Sequence, residues 1–446
     1  MKVSGWGNYP IIDSCQYWPR TEQEALASME GADSVLGRGL GRSYGDASLN
    51  GQRMINCSKY RAMLQFDEES GLLVAEAGVS LEAILETFLP RGWFLPVTPG
   101  TKFVSLGGAV ASDVHGKNHH VAGSFCNYVK WLDVFTPISG IVRCSATEEP
   151  DLFYATCGGS GLTGLILRVA LYLVRVPSAY IAQTTIKAGN IFEIMDIFEG
   201  NEVTPFSVAW IDCLKSGSAL GRSIFMGGRF ATTEEVATKA RNNSFSLKKK
   251  NQLTVPFNFP SFLLNSLSVK AFNALYYGKA KAGSNQSIVD YNSFFYPLDS
   301  IHHWNRIYGK RGFTQYQFVL PLEASRQALP QIMTKIAASG LGSFLAVLKL
   351  FGDQPSYKGN LSFPARGYTL ALDFPISKTL FPVLNELDAI VIDCGGRHYL
   401  SKDIRLSRDA FQKGYVAELD AFKEIKNRFD PNALFTSLQS CRLGIA

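Results

Sequence analysis

Three glycine-bearing loops in the first part of the chain have the composition of a binding site for a phosphate-bearing cofactor. The first is GRGLGRSYGD at 37–46, the second spans 99–120, and the third is GGSGLTG at 158–164. Closely spaced glycines let backbone N–H groups point inward together, and the resulting concavity suits a pyrophosphate. The first loop is not a GxGxxG fingerprint, because no register supplies the third glycine. Each loop alone is equally typical of a plain tight turn.

Histidines and cysteines do not indicate a metal site. Three of the six histidines fall at 115, 119 and 120, but no HxxxH pattern with an acid accompanies them. The eight cysteines are widely separated and form no CxxC pair, which favours reduced and mostly buried thiols. We therefore expect no bound metal.

Composition describes a globular protein of two or three domains. The chain has 446 residues, of which 46% are hydrophobic and 18% charged, and its net charge is +6. Lys and Arg are scattered rather than gathered on one stripe, which argues against nucleic-acid binding. The first 20 residues contain no apolar core of signal-peptide type, and no apolar run of about 18 residues occurs in this sequence. We expect a cytoplasmic protein that meets membranes only at their surface.

The pattern of elements changes near residue 180. Up to that point, short β-type runs such as 71–77 and 129–135 alternate with tight loops, and one helix is predicted over 81–89. From 180 to 395, strand-like runs alternate with helical stretches, which favours a sheet with helices on one face. The periodicity of 409–429 predicts a helix that Pro431 ends.

Residues 256–283 differ from the rest of the chain. They combine Phe, Leu and Tyr with Lys270, Lys279 and Lys281 and contain no acidic residue. A helix lying on a lipid surface has this composition. A core helix with a basic solvent edge fits the sequence as well.

Taken together in this order, the three loops resemble the vanillyl-alcohol-oxidase (PCMH-type) flavoprotein superfamily. Further motifs narrow the resemblance to the decaprenylphosphoryl-β-D-ribose oxidases: GRGLGRSYGD, HGKNHH, TQYQFVLP, KLFG and YLSKDIR. The resemblance runs from about Gly5 to the C-terminal helix. It implies an α+β, two-domain PCMH-type FAD-binding fold, with an inserted antiparallel-sheet substrate domain. The expected divisions are 1–178 for the first part of the FAD domain, 179–395 for the substrate domain and 396–446 for the return.

The resemblance also implies a set of FAD-binding residues. These are Gly37, Arg38, Gly39, Leu40, Gly41, Arg42, Ser43, Tyr44, Gly45, Asp46, Ala47, Gly100, Ser105, Leu106, Gly107, Gly108, Ser112, Asp113, Val114, His115, Ile166 and Tyr399. In covalent relatives a histidine precedes the serine of the first loop and bonds the flavin. Here that position is Arg42, so FAD is expected to bind without a covalent link.

The implied reaction is hydride transfer from the 2′-hydroxyl of a polyprenyl-phosphoryl-β-D-ribose to the flavin, the first half of an epimerisation to arabinose for cell-envelope polysaccharide. The expected catalytic residues are Lys402, Tyr44 and His115. Lys402 either takes up the hydroxyl proton or stays charged and stabilises the reduced flavin, and we favour the second role. A short-chain reductase is expected to complete the epimerisation. The substrate pocket is expected to contain Trp210, Gln315, Gln317, Lys349, Thr369 and Ala371.

Two of those positions depart from the family pattern. Well-known actinobacterial members have an Asn and a Cys where this chain has Thr369 and Ala371. The departure changes the shape and polarity of the pocket, so the sequence leaves the exact pentose and lipid carrier open. Two other functions share the loops: a soluble sugar or aldonolactone oxidase that uses oxygen, and a non-catalytic flavin-binding membrane scaffold. The first would not need the segment 256–283, and the second would not need Lys402.

Overall fold

The structure is a computed structural model that describes residues 1–237, 244–247, 253–260 and 264–445. Helices and strands are mixed along the chain, as predicted. No helix in the described ranges is long and apolar enough to cross a bilayer.

Two main sheets form in the first 175 residues. A parallel sheet contains, in spatial order, Cys15–Tyr17, Arg53–Asn56 and Val35–Arg38. An antiparallel sheet contains, in spatial order, Gly140–Ser145, Val129–Thr136, Leu165–Tyr172, Leu72–Glu76 and Met63–Asp67. Short two-stranded pairs join Lys2–Ser4 to Ile11–Asp13 and Trp93–Phe94 to Val174–Arg175.

The helices of this part are short, and several begin at a side-chain cap. Ser80 begins Leu81–Phe88 by accepting a bond from the backbone N–H of Ala83, close to where the sequence predicted a helix. Ser105 caps Leu106–Ala111 in the same way. The other α-helices up to residue 175 are Glu22–Ala27, His119–Ala122 and Pro150–Thr156.

An eight-stranded antiparallel sheet, here called the large sheet, dominates residues 180–398. Its spatial order is Ser284–Asp290, Tyr180–Ala188, Ser223–Phe230, Phe206–Ile211, Ala346–Phe351, Gly367–Pro375, Phe313–Pro321 and Arg397–His398. A parallel pair, Leu253–Thr254 with Ile301–His302, lies apart from it. The α-helices of this part are Ile191–Glu199, Thr233–Ala237, Ser266–Lys279, Tyr291–Phe295, Leu322–Ser339 and Leu380–Asp393.

Strand alternation gives the large sheet two different faces. One face packs Ile211, Phe318 and Leu370 into a core that the helices Leu322–Ser339 and Leu380–Asp393 cover. Because successive side chains point to opposite faces, the intervening residues face away from that core. Several of those residues, among them Trp210, Gln317 and Thr369, line the cavity described below.

The C-terminal tail corrects one prediction. The predicted single helix over 409–429 is two helices, Arg408–Gly414 and Leu419–Phe429, followed by Leu438–Leu443. The first helix ends at Gly414, a weak helix former, and Tyr415 leaves helical geometry. The tail returns to the N-terminal sheets, since Val35 donates its backbone N–H to Leu434 at 2.8 Å.

Candidate active site

One cavity of about 690 Å³ runs between the N-terminal loops and the large sheet. This volume lies within the range of small-molecule and cofactor sites, which is roughly 300–1,000 Å³. Most of the predicted site residues line it: Gly37, Arg38, Gly39, Leu40, Gly41, Arg42, Ser43, Tyr44, Ala47, Gly100, Ser105, Gly107, Gly108, Ser112, Val114, His115, Ile166, Trp210, Gln315, Gln317, Lys349, Thr369, Ala371, Tyr399 and Lys402.

The glycines of two loops lie where an added side chain would clash with neighbouring protein atoms. A Cβ at Gly39 would lie 2.0 Å from Ser105 Oγ, and one at Gly107 would lie 2.8 Å from the Ala77 Cβ. Gly41 has a φ of +65°, which only glycine adopts at low cost. The backbone of the first loop therefore approaches the start of Leu106–Ala111 closely. Gly39, Gly41 and Gly107 face the cavity along this close approach.

The first loop is held from both sides. Tyr44 donates its backbone N–H to the Ser401 carbonyl at 2.9 Å, and Gly7 donates to the Tyr44 carbonyl at 3.0 Å. Arg42 stacks on Trp6, with 4.0 Å between the guanidinium carbon and the ring centroid, and donates to the Phe103 carbonyl at 3.1 Å. These contacts bring the loop and the turn that carries Lys402 together.

Three neighbouring strands of the large sheet supply the polar wall of the cavity. The alternate residues Thr369, Ala371 and Asp373 face it, and Gln315 is paired directly opposite Asp373. Gln315 Nε2 donates to Asp373 Oδ1 at 2.6 Å, and Gln317 Nε2 donates to Thr369 Oγ1 at 3.3 Å. Amides and hydroxyls in this arrangement suit the hydroxyl groups of a sugar.

Lys402 lies where the loop and the sheet meet. Its Nζ is 3.8 Å from the centroid of the Tyr44 ring. Burial lowers the pKa of the Lys402 amine, and Asp373 and Lys349 act on it in opposite directions. The phenol of Tyr44 is buried and its pKa is raised, so this hydroxyl keeps its proton near neutral pH. The structure therefore brings together two of the three residues predicted to be catalytic.

His115, the third, lies among aromatic rings. Its ring centroid is 4.8 Å from that of Phe351 and 5.1 Å from that of Tyr399. Burial lowers its pKa well below the usual value, with Lys349, His119 and Lys402 adding to the effect. The imidazole is therefore neutral. Its Nε2 lies 3.1 Å from Gln317 Nε2, and the amide is the donor in this pair.

Two further lysines line the cavity, Lys349 and Lys117, and both are desolvated. Burial lowers the pKa of Lys349 to about 8 and that of Lys117 to about 7. The Lys117 amine bonds to the carbonyl of Phe294. Desolvated cations beside a cavity suit an anionic group such as a phosphate, which would restore the solvation that they have lost.

Four of the predicted cofactor residues do not line the cavity. Leu106 is fully buried in the core, and a Cβ at Gly45 would meet Ile404. Asp46 forms an ion pair with Arg442 of the tail at 3.0 Å. Asp113 accepts bonds from Ser124, Ser362 and the backbone of Cys126, which fixes the loop before His115. Their assignment to the cofactor remains a prediction.

Several cavity residues were not predicted from the sequence. The main ones are Trp6, Lys117, Asp299, Phe272, Tyr276, Phe344 and Asp373. Asp373 carried a signal, because it continues the alternation of Thr369 and Ala371 along one strand. Lys117 lies inside the HGKNHH motif. Phe272 and Tyr276 lie in the segment 256–283 that the sequence singled out, although their place in the cavity was not predicted.

Comparison with known proteins agrees with this geometry. Residues 15–145 match the FAD binding domain family. The chain is 37% identical over 422 residues to decaprenylphosphoryl-β-D-ribose oxidase of Mycolicibacterium smegmatis, which covers 94% of this chain and 90% of the relative. It is 31% identical over 375 residues to a Streptomyces coelicolor protein described only by its place in the mprA 5′ region, covering 82% of this chain and 100% of the relative. It is 26% identical to L-gulonolactone oxidase of Scyliorhinus torazame over 37% of this chain.

The glycine cradle and the matching family define an FAD-dependent oxidoreductase. Sequence identity across nearly the whole of both chains identifies a narrower family within this class of enzymes. The chain belongs to the decaprenylphosphoryl-β-D-ribose oxidase family.

Proposed function

We propose that this protein oxidises the 2′-hydroxyl of a polyprenyl-phosphoryl-β-D-ribose to the 2′-keto sugar, with FAD as the hydride acceptor. One observation carries the proposal. The glycine loops, the Lys402–Tyr44 pair and a wall of amides and lysines all face a single cavity. A flavin site and a polar sugar site in one cavity allow the two reactants to meet with a defined orientation.

We further infer that the first loop, together with Ser105–Gly108, holds FAD without a covalent link. When bound, FAD supplies a ring that accepts a hydride. Arg42 takes the place of the histidine that bonds the flavin in covalent relatives, and a guanidinium forms no such bond. The stacking of Arg42 on Trp6 at 4.0 Å gives this side chain a structural role instead.

The other side chains orient the sugar and manage its proton. In this proposal Gln315, Gln317 and Thr369, which line the cavity, bind hydroxyls on the pentose. Trp210 forms an aromatic wall of the pocket, and its Nε1 donates to the Phe344 carbonyl at 3.1 Å. Lys349 binds the phosphate. Since the Lys402 pKa is lowered by burial, its amine is able to take up or hold a proton near neutral pH. Tyr44 provides a neutral hydroxyl beside it.

The lipid tail is expected to leave past the helix Ser266–Lys279, here called the mouth helix. Phe272 and Tyr276 line the cavity and are also 44% and 40% exposed, so they lie at its opening. Leu267 and Leu275 of the same helix are each 76% exposed, and Asn273 anchors the helix by donating to Asp212 at 2.8 Å. An exposed apolar helix beside the opening supports the interpretation of 256–283 as a membrane-surface element. Residues 261–263 of that segment lie outside the described ranges.

Vesicle flotation tests this contact. Replacing Lys270, Lys279 and Lys281 together by Gln should weaken binding to phosphatidylglycerol vesicles by roughly 100-fold, because each lysine near an anionic surface contributes about 1 kcal/mol. A matched control replaces three exposed lysines elsewhere, Lys335, Lys358 and Lys413. Equal weakening in the two triple variants would contradict a specific membrane contact.

A second flotation experiment tests the exposed apolar residues of the mouth helix. Leu267→Asp with Leu275→Asp should abolish flotation on neutral and anionic vesicles alike. Val416→Asp is the control, because Val416 is 74% exposed between two helices of the tail. Retained flotation of the double variant would exclude insertion of this helix.

The domain division and the partner enzyme are also part of this proposal. We infer that 179–395 is a substrate domain inserted into an FAD domain formed by 1–178 and 396–446, which the contact between Val35 and Leu434 supports. Epimerisation also requires reduction of the ketone from the opposite face, so a short-chain reductase is the expected partner.

Product trapping tests the reaction itself. Protein incubated with polyprenyl-phosphoryl ribose and an artificial electron acceptor should give a ketone that borodeuteride converts to ribose and arabinose, each carrying one deuterium at carbon 2. Deuterium at another carbon would show a different regiochemistry. Oxidation of free sugars or aldonolactones at equal efficiency would favour the soluble oxidase instead.

A further inference from the structure

Asp373 is a buried carboxylate whose contacts connect the sheet to the Lys402 site. It is 1% exposed and lies in the strand Gly367–Pro375. Its Oδ1 accepts from Gln315 Nε2 at 2.6 Å, and its Oδ2 accepts from the Tyr308 hydroxyl at 3.4 Å. A carboxylate is rarely buried so completely without a charged partner.

Gln315 reaches from this carboxylate toward the first loop. The Nε2 that donates to Asp373 also lies 3.5 Å from the hydroxyl of Tyr44. The ring of Tyr44 in turn contacts the Lys402 amine at 3.8 Å. Asp373, Gln315, Tyr44 and Lys402 therefore form a continuous set of contacts across the cavity wall.

Titratable groups from three elements face Lys402. Asp373 raises its pKa, Lys349 from the neighbouring strand lowers it, and His115 is neutral. Around Asp373, burial raises the carboxyl pKa, while Gln315, Lys402 and Tyr308 lower it. Asp373 is thus the acidic group that opposes the cationic lysines on this side of the cavity.

We propose that Asp373 is a positioning residue for the oxidation: its carboxylate favours the ammonium form of Lys402 and, through Gln315, orients the Tyr44 hydroxyl. The inference deepens the proposed function, since it concerns the group beside the hydroxyl to be oxidised. Removing the carboxylate takes away the favourable charge interaction, so Lys402 would lose its proton at lower pH. A purely structural role for Asp373 would not move this titration.

Competitive acylation of the FAD-loaded protein measures the titration without any substrate. A small acylating reagent modifies only the neutral amine, and mass spectrometry of the Lys402 peptide gives its midpoint pH. Asp373→Asn should lower that midpoint by at least one pH unit, which is a tenfold loss of proton affinity. Asp373→Glu, which keeps the charge, should restore most of it.

The control is Asp299→Asn, which removes another buried carboxylate lining the same cavity. Asp299 accepts the backbone N–H of Lys102 and interacts with Arg42. This variant should leave the Lys402 midpoint where it is in the natural protein. An unchanged midpoint in folded Asp373→Asn, or an equal shift in both variants, would overturn the proposal.

A second variant guards against misfolding of Asp373→Asn. Gln315→Leu removes the amide that stabilises the carboxylate, so it should lower the Lys402 midpoint in the same direction. No shift in this variant would count against the proposal as well. If the midpoints move as expected while no lipid-linked ribose is oxidised, the proposed substrate is wrong and the role of Asp373 stands.

Discussion

Lys349 is the residue at which stability and function should change in opposite directions. Burial lowers its pKa from 10.5 to about 8. A lysine that protonates less readily in the folded state destabilises the fold while it is charged. The destabilisation is present in full below about pH 8 and disappears as the pH rises towards 10.5, because the unfolded chain binds the extra proton across that range.

Lys349→Met should therefore stabilise the protein at pH 7. One pH unit corresponds to about 1.4 kcal/mol, so the full effect would be roughly 3 kcal/mol. Water in the cavity reduces the free-energy cost of the buried charge, so we expect Lys349→Met to stabilise the fold by about 1–3 kcal/mol. Urea unfolding of the variant and the natural protein measures this difference, which should shrink as the pH is raised above 8.

Binding of the phosphoryl substrate should weaken in the same variant. A charged hydrogen bond to phosphate contributes about 1.5–3 kcal/mol, so Lys349→Met should raise the KM for the phosphoryl substrate by roughly 10- to 150-fold. A ribosyl analogue without phosphate should lose little affinity. Lys310→Met, at an exposed lysine, is the control for the substitution itself. A less stable Lys349→Met with unchanged KM would refute the argument, because Lys349 would then be a packing residue.

Three other predictions concern the cofactor and the pocket. Denaturation in acid should release all of the flavin, and colour retained in the precipitated protein would contradict a non-covalent link. Gly39→Ala should weaken FAD binding at least about fivefold, because its Cβ would displace Ser105 Oγ from the helix cap, a bond of roughly 1 kcal/mol. Gly51→Ala, in open space, should not weaken it. Nitroaromatic inhibitors that trap a pocket cysteine should form no adduct with this protein, while Ala371→Cys should form one, as intact-mass spectrometry would detect.

Sequence reasoning reached the parts of the site that depend on local pattern. Glycine spacing predicted the first loop, and the structure places Gly39 and Gly41 on the cavity wall. Strand-like runs were predicted between 180 and 395, and strands such as Phe313–Pro321 and Gly367–Pro375 form there. These features depend on side-chain periodicity and backbone freedom, which the sequence expresses directly.

What the sequence did not reveal depends on pairing between distant elements. The role of Asp373 requires the register that sets it opposite Gln315, and no local pattern specifies that register. Lys117 is buried because Phe294, distant in sequence, packs over its amine. The break near Gly414 reflects a single weak helix former within a periodic stretch.

Anaerobic mixing of the FAD-loaded protein with polyprenyl-phosphoryl ribose tests the central claim most directly. If the cavity holds FAD and the sugar together, the visible absorbance of the oxidised flavin should disappear as the ribose is oxidised. Phosphate-free ribose and aldonolactones should bleach it far more slowly. A protein that takes up FAD and keeps its full absorbance with every lipid-linked pentose would contradict the account.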